Sequence, residues 1–335
     1  MGMNERPKLC IALSHDHFKL VEKSHAPIHI AFCVNDCYAP YLTVPIKSIV
    51  ENHRNCAVCI HVLTDRISPK NRARLSDAAA GIPCVRLEIH IVDDHALKGL
   101  KTGVWTIYTW YRLLLPEILP DDVKKVLYLD ADTLVVADLR ELFSLDMTGK
   151  AIAASLDSQS FDHRAFERCG YEPRKKYICA GVLLMNLDYW RKENLVRRLV
   201  DWANVHSDHI AFPDQDTINY VCRDAKIVLP FRYNILNVFL TDFSVRSDCM
   251  EELRACIDHP VIIHYAGTYP WIKAFATHLM QGEWIKYNSM LTNPVRTEWI
   301  PSKWIYMKIL IWRILHPFSR KSHLTIDELR CRLRQ

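Results

Sequence analysis

Four apolar runs of strand length, at residues 28–34, 57–64, 84–92 and 123–129, are separated by stretches that carry helix signals, and this alternation constrains the fold more than any other feature. Residues 40–52 read as a helix. Ser68-Pro69 supplies an N-cap and a first-turn proline for a second helix ending near Ala80. Strands and helices alternating at these lengths predict an α/β domain with a mostly parallel central sheet. In such sheets ligands collect beyond the carboxyl ends of the strands. Asn35, Asp36 and Tyr38 follow the first run, and Asp130 and Asp132 follow the fourth.

The acidic pair lies in Leu127-Tyr128-Leu129-Asp130-Ala131-Asp132-Thr133-Leu134-Val135. Strand alternation would put Asp130 and Asp132 on one side of the backbone, where both could face a single cation. Hard carboxylate oxygens suit Mg²⁺ or Mn²⁺, which keep positions open for water and substrate phosphates. An isolated Asp-x-Asp also arises wherever a strand ends in a solvated turn; the apolar strand directly before this one favours the metal site. Farther on, residues 105–115 are apolar and aromatic around Arg112, and residues 178–187 form another apolar run containing Gly181. Asp188 is expected to cap a helix running to about Val205. Phe212-Pro213-Asp214-Gln215-Asp216 opens a short helix, and residues 261–263 form a last strand ending in His264-Tyr265-Ala266-Gly267.

A chain of 335 residues that is 50% hydrophobic can bury a large core in one domain. Residues 1–27 lack the apolar core of a signal peptide, and no apolar run approaches the roughly 20 residues that span a bilayer, so the cytoplasmic side is expected. The twelve cysteines are scattered and read as mostly buried free thiols. Cys56 and Cys59 have CxxC spacing but open an apolar strand, and no second CxxC completes a zinc site. From Arg296 onward nine Lys/Arg face three acids, so the rest of the chain is about neutral. That excludes a general nucleic-acid binder, whose basic surface would extend over the folded body. Residues 304–315 (WIYMKILIWRIL) suit a buried or an interfacial helix, and Thr325-Ile326-Asp327-Glu328 matches a capping box ahead of Arg330, Arg332 and Arg334. The expected organisation is an N-terminal extension (1–27), a catalytic domain (28–290) and a basic helical tail (291–335).

Taken together, residues 32–38, 106–115, 127–132 and 180–187 with Trp190, then 214–216, then 264–267 with Pro270-Trp271, resemble the family-eight glycosyltransferases in order and spacing. The resemblance covers about residues 28–271. It implies a GT-A nucleotide-sugar-binding fold and a retaining transferase like the bacterial lipopolysaccharide galactosyl- and glucosyltransferases. Position by position, it implies that Asp130, Asp132 and His264 hold Mn²⁺ or Mg²⁺ with the diphosphate of a UDP-hexose. Cys33, Val34, Asn35, Tyr38, Ala131 and Gly267 would surround the nucleotide, with Tyr38 stacking on uracil and Asn35 accepting from its edge. Arg112 would reach the diphosphate or sugar. Asp214 and Gln215 would face the hexose as catalytic residues together with Asp130. Two positions depart from the pattern: Cys179 replaces a sugar-binding Asn, and Tyr269 replaces a phosphate-contacting Lys, a role Lys273 could take over.

Two other readings stay open at this level. Asp130-Ala131-Asp132-Thr133 also resembles the nucleophile motif of haloacid-dehalogenase-like phosphatases, in which Asp130 would attack phosphorus. Cys179 and Tyr269 would also suit a non-catalytic UDP-sugar-binding protein. Under the transferase reading the partners are a UDP-sugar, a glycan or lipid-linked acceptor, and the inner membrane surface, reached through the basic tail.

Overall fold

The computed structural model of the chain describes residues 10–11, 26–241, 250–272 and 278–297. Most of the N-terminal extension, Lys273 and the basic tail, with its apolar segment and capping box, lie outside the described residues. Eleven strands are described in chain order: β1 (Cys10–Ile11), β2 (Ile28–Cys33), β3 (Val58–Thr64), β4 (Val85–Ile91), β5 (Lys125–Leu129), β6 (Thr133–Val135), β7 (Ile152–Ser155), β8 (Val182–Asn186), β9 (Lys226–Leu229), β10 (Ile235–Leu236) and β11 (Ile262–His264).

Eight strands form one sheet in the order β1-β4-β3-β2-β5-β8-β7-β9. Its centre is the alternating region read from the sequence: β2 pairs in parallel with β3 and β5, and β3 with β4. Antiparallel pairings of β8 with β5 and β7, and of β1 with β4, complete the mostly parallel sheet around a parallel β7–β9 pair. The strands bury both faces, as crossover helices require. Ile28, Ile30, Phe32, Val58, Ile60 and Val62 pack with the helices Ala39–Asn52 and Pro69–Ala79. Ala31, Leu63, Tyr128, Leu183 and Met185 pack on the other side with Trp110, Trp190 and the helix Leu195–Val205. Ser68 caps its helix as expected, Asn71 N–H donating to Ser68 Oγ at 3.3 Å.

A second sheet, β10-β11-β6, holds no strand longer than three residues. It is fastened to the main body by the helix Ala39–Asn52. Val135 N–H donates to Ser48 Oγ (3.1 Å), and Asn52 Nδ2 donates to Val135 O (3.0 Å). A helix thus satisfies backbone groups that a longer strand pair would have used.

One cap differs from expectation. Asn186, not Asp188, accepts from the Tyr189 N–H (3.2 Å) and starts the helix Leu187–Lys192. Asp188 lies in the first turn, pairing with Lys124 at 3.0 Å. The chain then breaks at Asn194, at φ 49°, before Leu195–Val205, so the expected single helix is two. Asparagine tolerates this left-handed conformation better than most residues.

Candidate active site

The acidic pair owes its geometry to a turn and not to strand alternation. β5 stops at Leu129 and β6 starts at Thr133, so Asp130, Ala131 and Asp132 cross from one sheet to the other. Thr133 closes the turn on the Asp130 carbonyl, through its N–H at 3.2 Å and its Oγ1 at 2.9 Å. β6 pairs with β11 so that His264 stands opposite Thr133, and Tyr265 N–H donates to Asp132 O at 2.9 Å. His264 Nε2 then lies 3.3 Å from Asp132 Oδ1 and 3.8 Å from Asp130 Oδ2.

The surroundings fit a cation. Asn234 Oδ1, which can only accept, meets His264 Nδ1 at 3.0 Å, so Nδ1 carries a proton and Nε2 faces the carboxylates. A Cβ at Gly181 would lie 2.3 Å from His264 Cε1 and 2.6 Å from Asp130 Oδ2, so glycine alone leaves the space between the donors open. The donor set of two carboxylates and one imidazole is that of a hard divalent ion. Burial alone would lower the His264 imidazole, but Asp132, by charge and hydrogen bond, carries it well above its ordinary value. Burial likewise opposes ionisation of Asp130, yet Arg112, His264 and the Tyr128 hydroxyl hold its carboxyl below the usual range.

Arg112 is buried and fully engaged within the protein. Its Nη2 donates to Asp130 Oδ1 (3.0 Å), its Nε faces Asp214 Oδ2 (3.1 Å), and its Nη1 donates to Ala180 O (2.5 Å). The guanidinium lies over the Tyr128 ring, 4.0 Å from its centroid. Asp214 also accepts from Thr109 Oγ1, and burial raises its carboxyl despite Arg112. Arg112, expected to reach the donor, borders the cavity and in this geometry also fixes two carboxylates.

These groups line a cavity of about 550 Å³, within the range of small-molecule sites. Cys33, Val34, Asn35, Tyr38, Arg112, Asp130, Ala131, Asp132, Asp214, Gln215, His264 and Gly267 all border it, so every residue singled out for catalysis, donor or metal is brought together here. Cys179 and Tyr269 border it as well, Cys179 Sγ lying 3.9 Å from His264 Nδ1. Burial pushes the Cys33 thiol up and keeps it protonated. Asp36 and Asp216 are turned to structural work. Asp36 accepts from Ser68 N–H and Asn71 Nδ2, both at 2.8 Å, and Asp216 from Ala211 N–H, Phe212 N–H, Tyr177 and Arg168.

Sequence reasoning missed two residues here. Asp157 lies just beyond β7, borders the cavity and is held by Gln159 N–H at 2.9 Å; burial raises its carboxyl. The strand-end rule would have found it had the short β7 been read. Asn234 precedes a two-residue strand and gave no signal.

Two carboxylates and an imidazole beside a small-molecule cavity at the end of a mostly parallel sheet have the makings of an α/β enzyme site. Residues 29–274 match glycosyl transferase family 8, and the chain belongs to that family. It is 26% identical over 272 residues to General stress protein A of Bacillus subtilis (strain 168), covering 78% of this chain and 93% of that protein. It is 27% identical over 248 residues to a lipopolysaccharide 1,2-glucosyltransferase of Escherichia coli, covering 72% and 73%. A crystal structure of the galactosyltransferase LgtC with donor and acceptor sugar analogs superimposes with a TM-score of 0.70 at 27% identity, over 83% of this chain and 99% of that one. The fold is thus the GT-A arrangement that the resemblance implied. The chain is a glycosyltransferase taking a nucleotide-sugar donor and a glycan acceptor, and the phosphatase reading falls.

Proposed function

We propose that this chain transfers galactose or glucose from a UDP-sugar to a lipopolysaccharide or other cell-surface glycan with retained anomeric configuration, using Mn²⁺ or Mg²⁺ held by Asp130, Asp132 and His264. The observation that carries this is the joining of those three ligands, Tyr38 and Gln215 around one cavity. The E. coli relative is by name a glucosyltransferase and LgtC a galactosyltransferase, which leaves the choice of hexose to experiment. When bound, the metal supplies Lewis-acid charge to the departing nucleoside diphosphate.

The chain's own residues do the rest. Tyr38 meets Trp271 edge-on, at 6.1 Å between ring centroids, and keeps a face for the uracil ring. Asn35 Oδ1 accepts from Tyr38 N–H at 2.8 Å and has a second lone pair for the uracil N3–H. Arg112 positions Asp130 and Asp214 by charge-assisted hydrogen bonds. Ala180 N–H, donating to Gln215 Oε1 at 2.9 Å, fixes the Gln215 amide at the cavity wall beside the hexose. An amide is a poor nucleophile, and Asp214 is already engaged by Arg112 and Thr109. This supports attack by the acceptor on the face the diphosphate leaves, the leaving phosphate taking the proton. Residues 28–290 form the catalytic domain in this reading, and the basic tail holds it at the membrane surface. No helix among the described residues is long and apolar enough to cross a membrane.

Titration calorimetry of UDP with and without Mn²⁺, followed by hydrolysis of UDP-galactose and UDP-glucose, tests the proposal. Mn²⁺-dependent binding with slow release of one sugar supports it and selects the donor; UDP binding that ignores the metal overturns the metal assignment. Deleting residues 302–335 should abolish binding to anionic liposomes, and unchanged binding would sink the membrane role.

A further inference from the structure

A second polar cluster lies in the main sheet, outside the cavity. The register places His29 opposite Cys59 and Cys59 opposite Arg86, then Ala31 opposite His61 and His61 opposite Glu88, then Leu63 opposite His90. Positions two apart share a face, so His29, Cys59, His61, Arg86, Glu88 and His90 all project from the same side of three adjacent strands. The three imidazoles form a ladder. His29 Nδ1 lies 2.9 Å from His61 Nε2, and His61 Nδ1 lies 3.0 Å from His90 Nε2 and 3.3 Å from Glu88 Oε2. Cys59, His61 and His90 are buried, while His29 is half-buried.

We propose that His29 Nδ1, His61 Nε2 and Cys59 Sγ form a second metal site, built for a borderline divalent ion such as Zn²⁺ and leaving a fourth position open. One donor atom from each of the three residues lies within 4.8 Å of the other two. Two nitrogens each about 2.0–2.1 Å from a tetrahedral Zn²⁺ sit about 3.3–3.4 Å apart, so the 2.9 Å pair needs to open by only a few tenths of an ångström. The other nitrogen of His61 already faces a carboxylate, the arrangement that orients a metal-bound imidazole and raises its basicity. Cys59 lies within hydrogen-bonding reach of both His61 and Arg86, which places its sulfur beside the imidazole pair. Half-buried His29 gives an ion a route in from solvent. Binding sends the thiol proton, and the proton held between His29 and His61, to solvent. A thiolate with two imidazoles selects Zn²⁺ or Co²⁺ over Mg²⁺ and Mn²⁺, the reverse of the oxygen-rich set at Asp130 and Asp132.

The test strips the full-length protein with chelator and titrates it with Co²⁺, reading the thiolate-to-cobalt charge-transfer band. Equilibrium dialysis with Zn²⁺ on the Asp132→Ala variant isolates this site from the other. One equivalent of Zn²⁺ and a Co²⁺ band that survive Asp132→Ala are expected. Cys59→Ser should remove the band, and the milder His29→Gln should weaken Zn²⁺ binding at least tenfold with unchanged circular dichroism. Absence of the band in the unsubstituted protein overturns the proposal, as does Zn²⁺ binding that neither variant diminishes.

Discussion

The two imidazole–carboxylate clusters are chemically close and differ in where they sit. Asp130, Asp132 and His264 occupy a turn and a strand end, and Gly181 holds the space before them open. His29, His61, His90 and Glu88 stand inside strands, where each ring's first partner is another ring. The first cluster borders a cavity of about 550 Å³, and no residue of the second borders it. The contrast teaches that donor atoms alone do not set a role. What stands in front of them decides whether they face a substrate cavity or lie enclosed within a sheet.

Four substitutions would break or sharpen that contrast. Asp132→Ala should cost the most, cutting metal-dependent turnover by roughly 100-fold or more at unchanged circular dichroism, since it removes a proposed cation ligand and the principal partner of His264. Undiminished turnover would remove the metal site. Gly181→Ala should lower turnover by at least about tenfold, because His264 or Asp130 must move to admit the methyl group; a full-rate variant would show that the gap before the donors is not needed. Asn234→Ala frees the His264 ring and should raise the Mn²⁺ concentration for half-maximal activity by about 10–100-fold, with a smaller change at saturating metal. His90→Ala breaks the ladder at its far end and should lower Tm by about 2–5 °C, leaving the KM for the donor unchanged. A changed KM there would mean that the two clusters are coupled.

The parallel centre of the main sheet was legible because β2, β3 and β4 are six or seven residues long and each is closed by turn or cap residues. The candidate site residues were picked out as a set through their order along the chain, and all of them border one cavity. Their relations were not. β6, β10 and β11 have three residues or fewer, too short for a period to register, so nothing announced that Asp130 and Asp132 bridge two sheets. Arg112 could be placed near the site, but its pairing with Asp130 and Asp214 joins residues 18 and about 100 positions away. Asp188 and Asn186 both suit an N-cap, and only the backbone decides between them.

The three-residue link between β5 and β6 also acts as a ruler. At its start Asp130 is tied to the large sheet, through its N–H to Gly181 O at 2.8 Å; at its end Asp132 is tied to the small sheet, through its carbonyl to Tyr265 N–H. A flexible surface loop can lengthen at small entropic cost. One residue inserted here would slide the small sheet along the large one and carry His264 out of register with Asp130. The spacing of this link should therefore tolerate changes of side chain far better than any change of length.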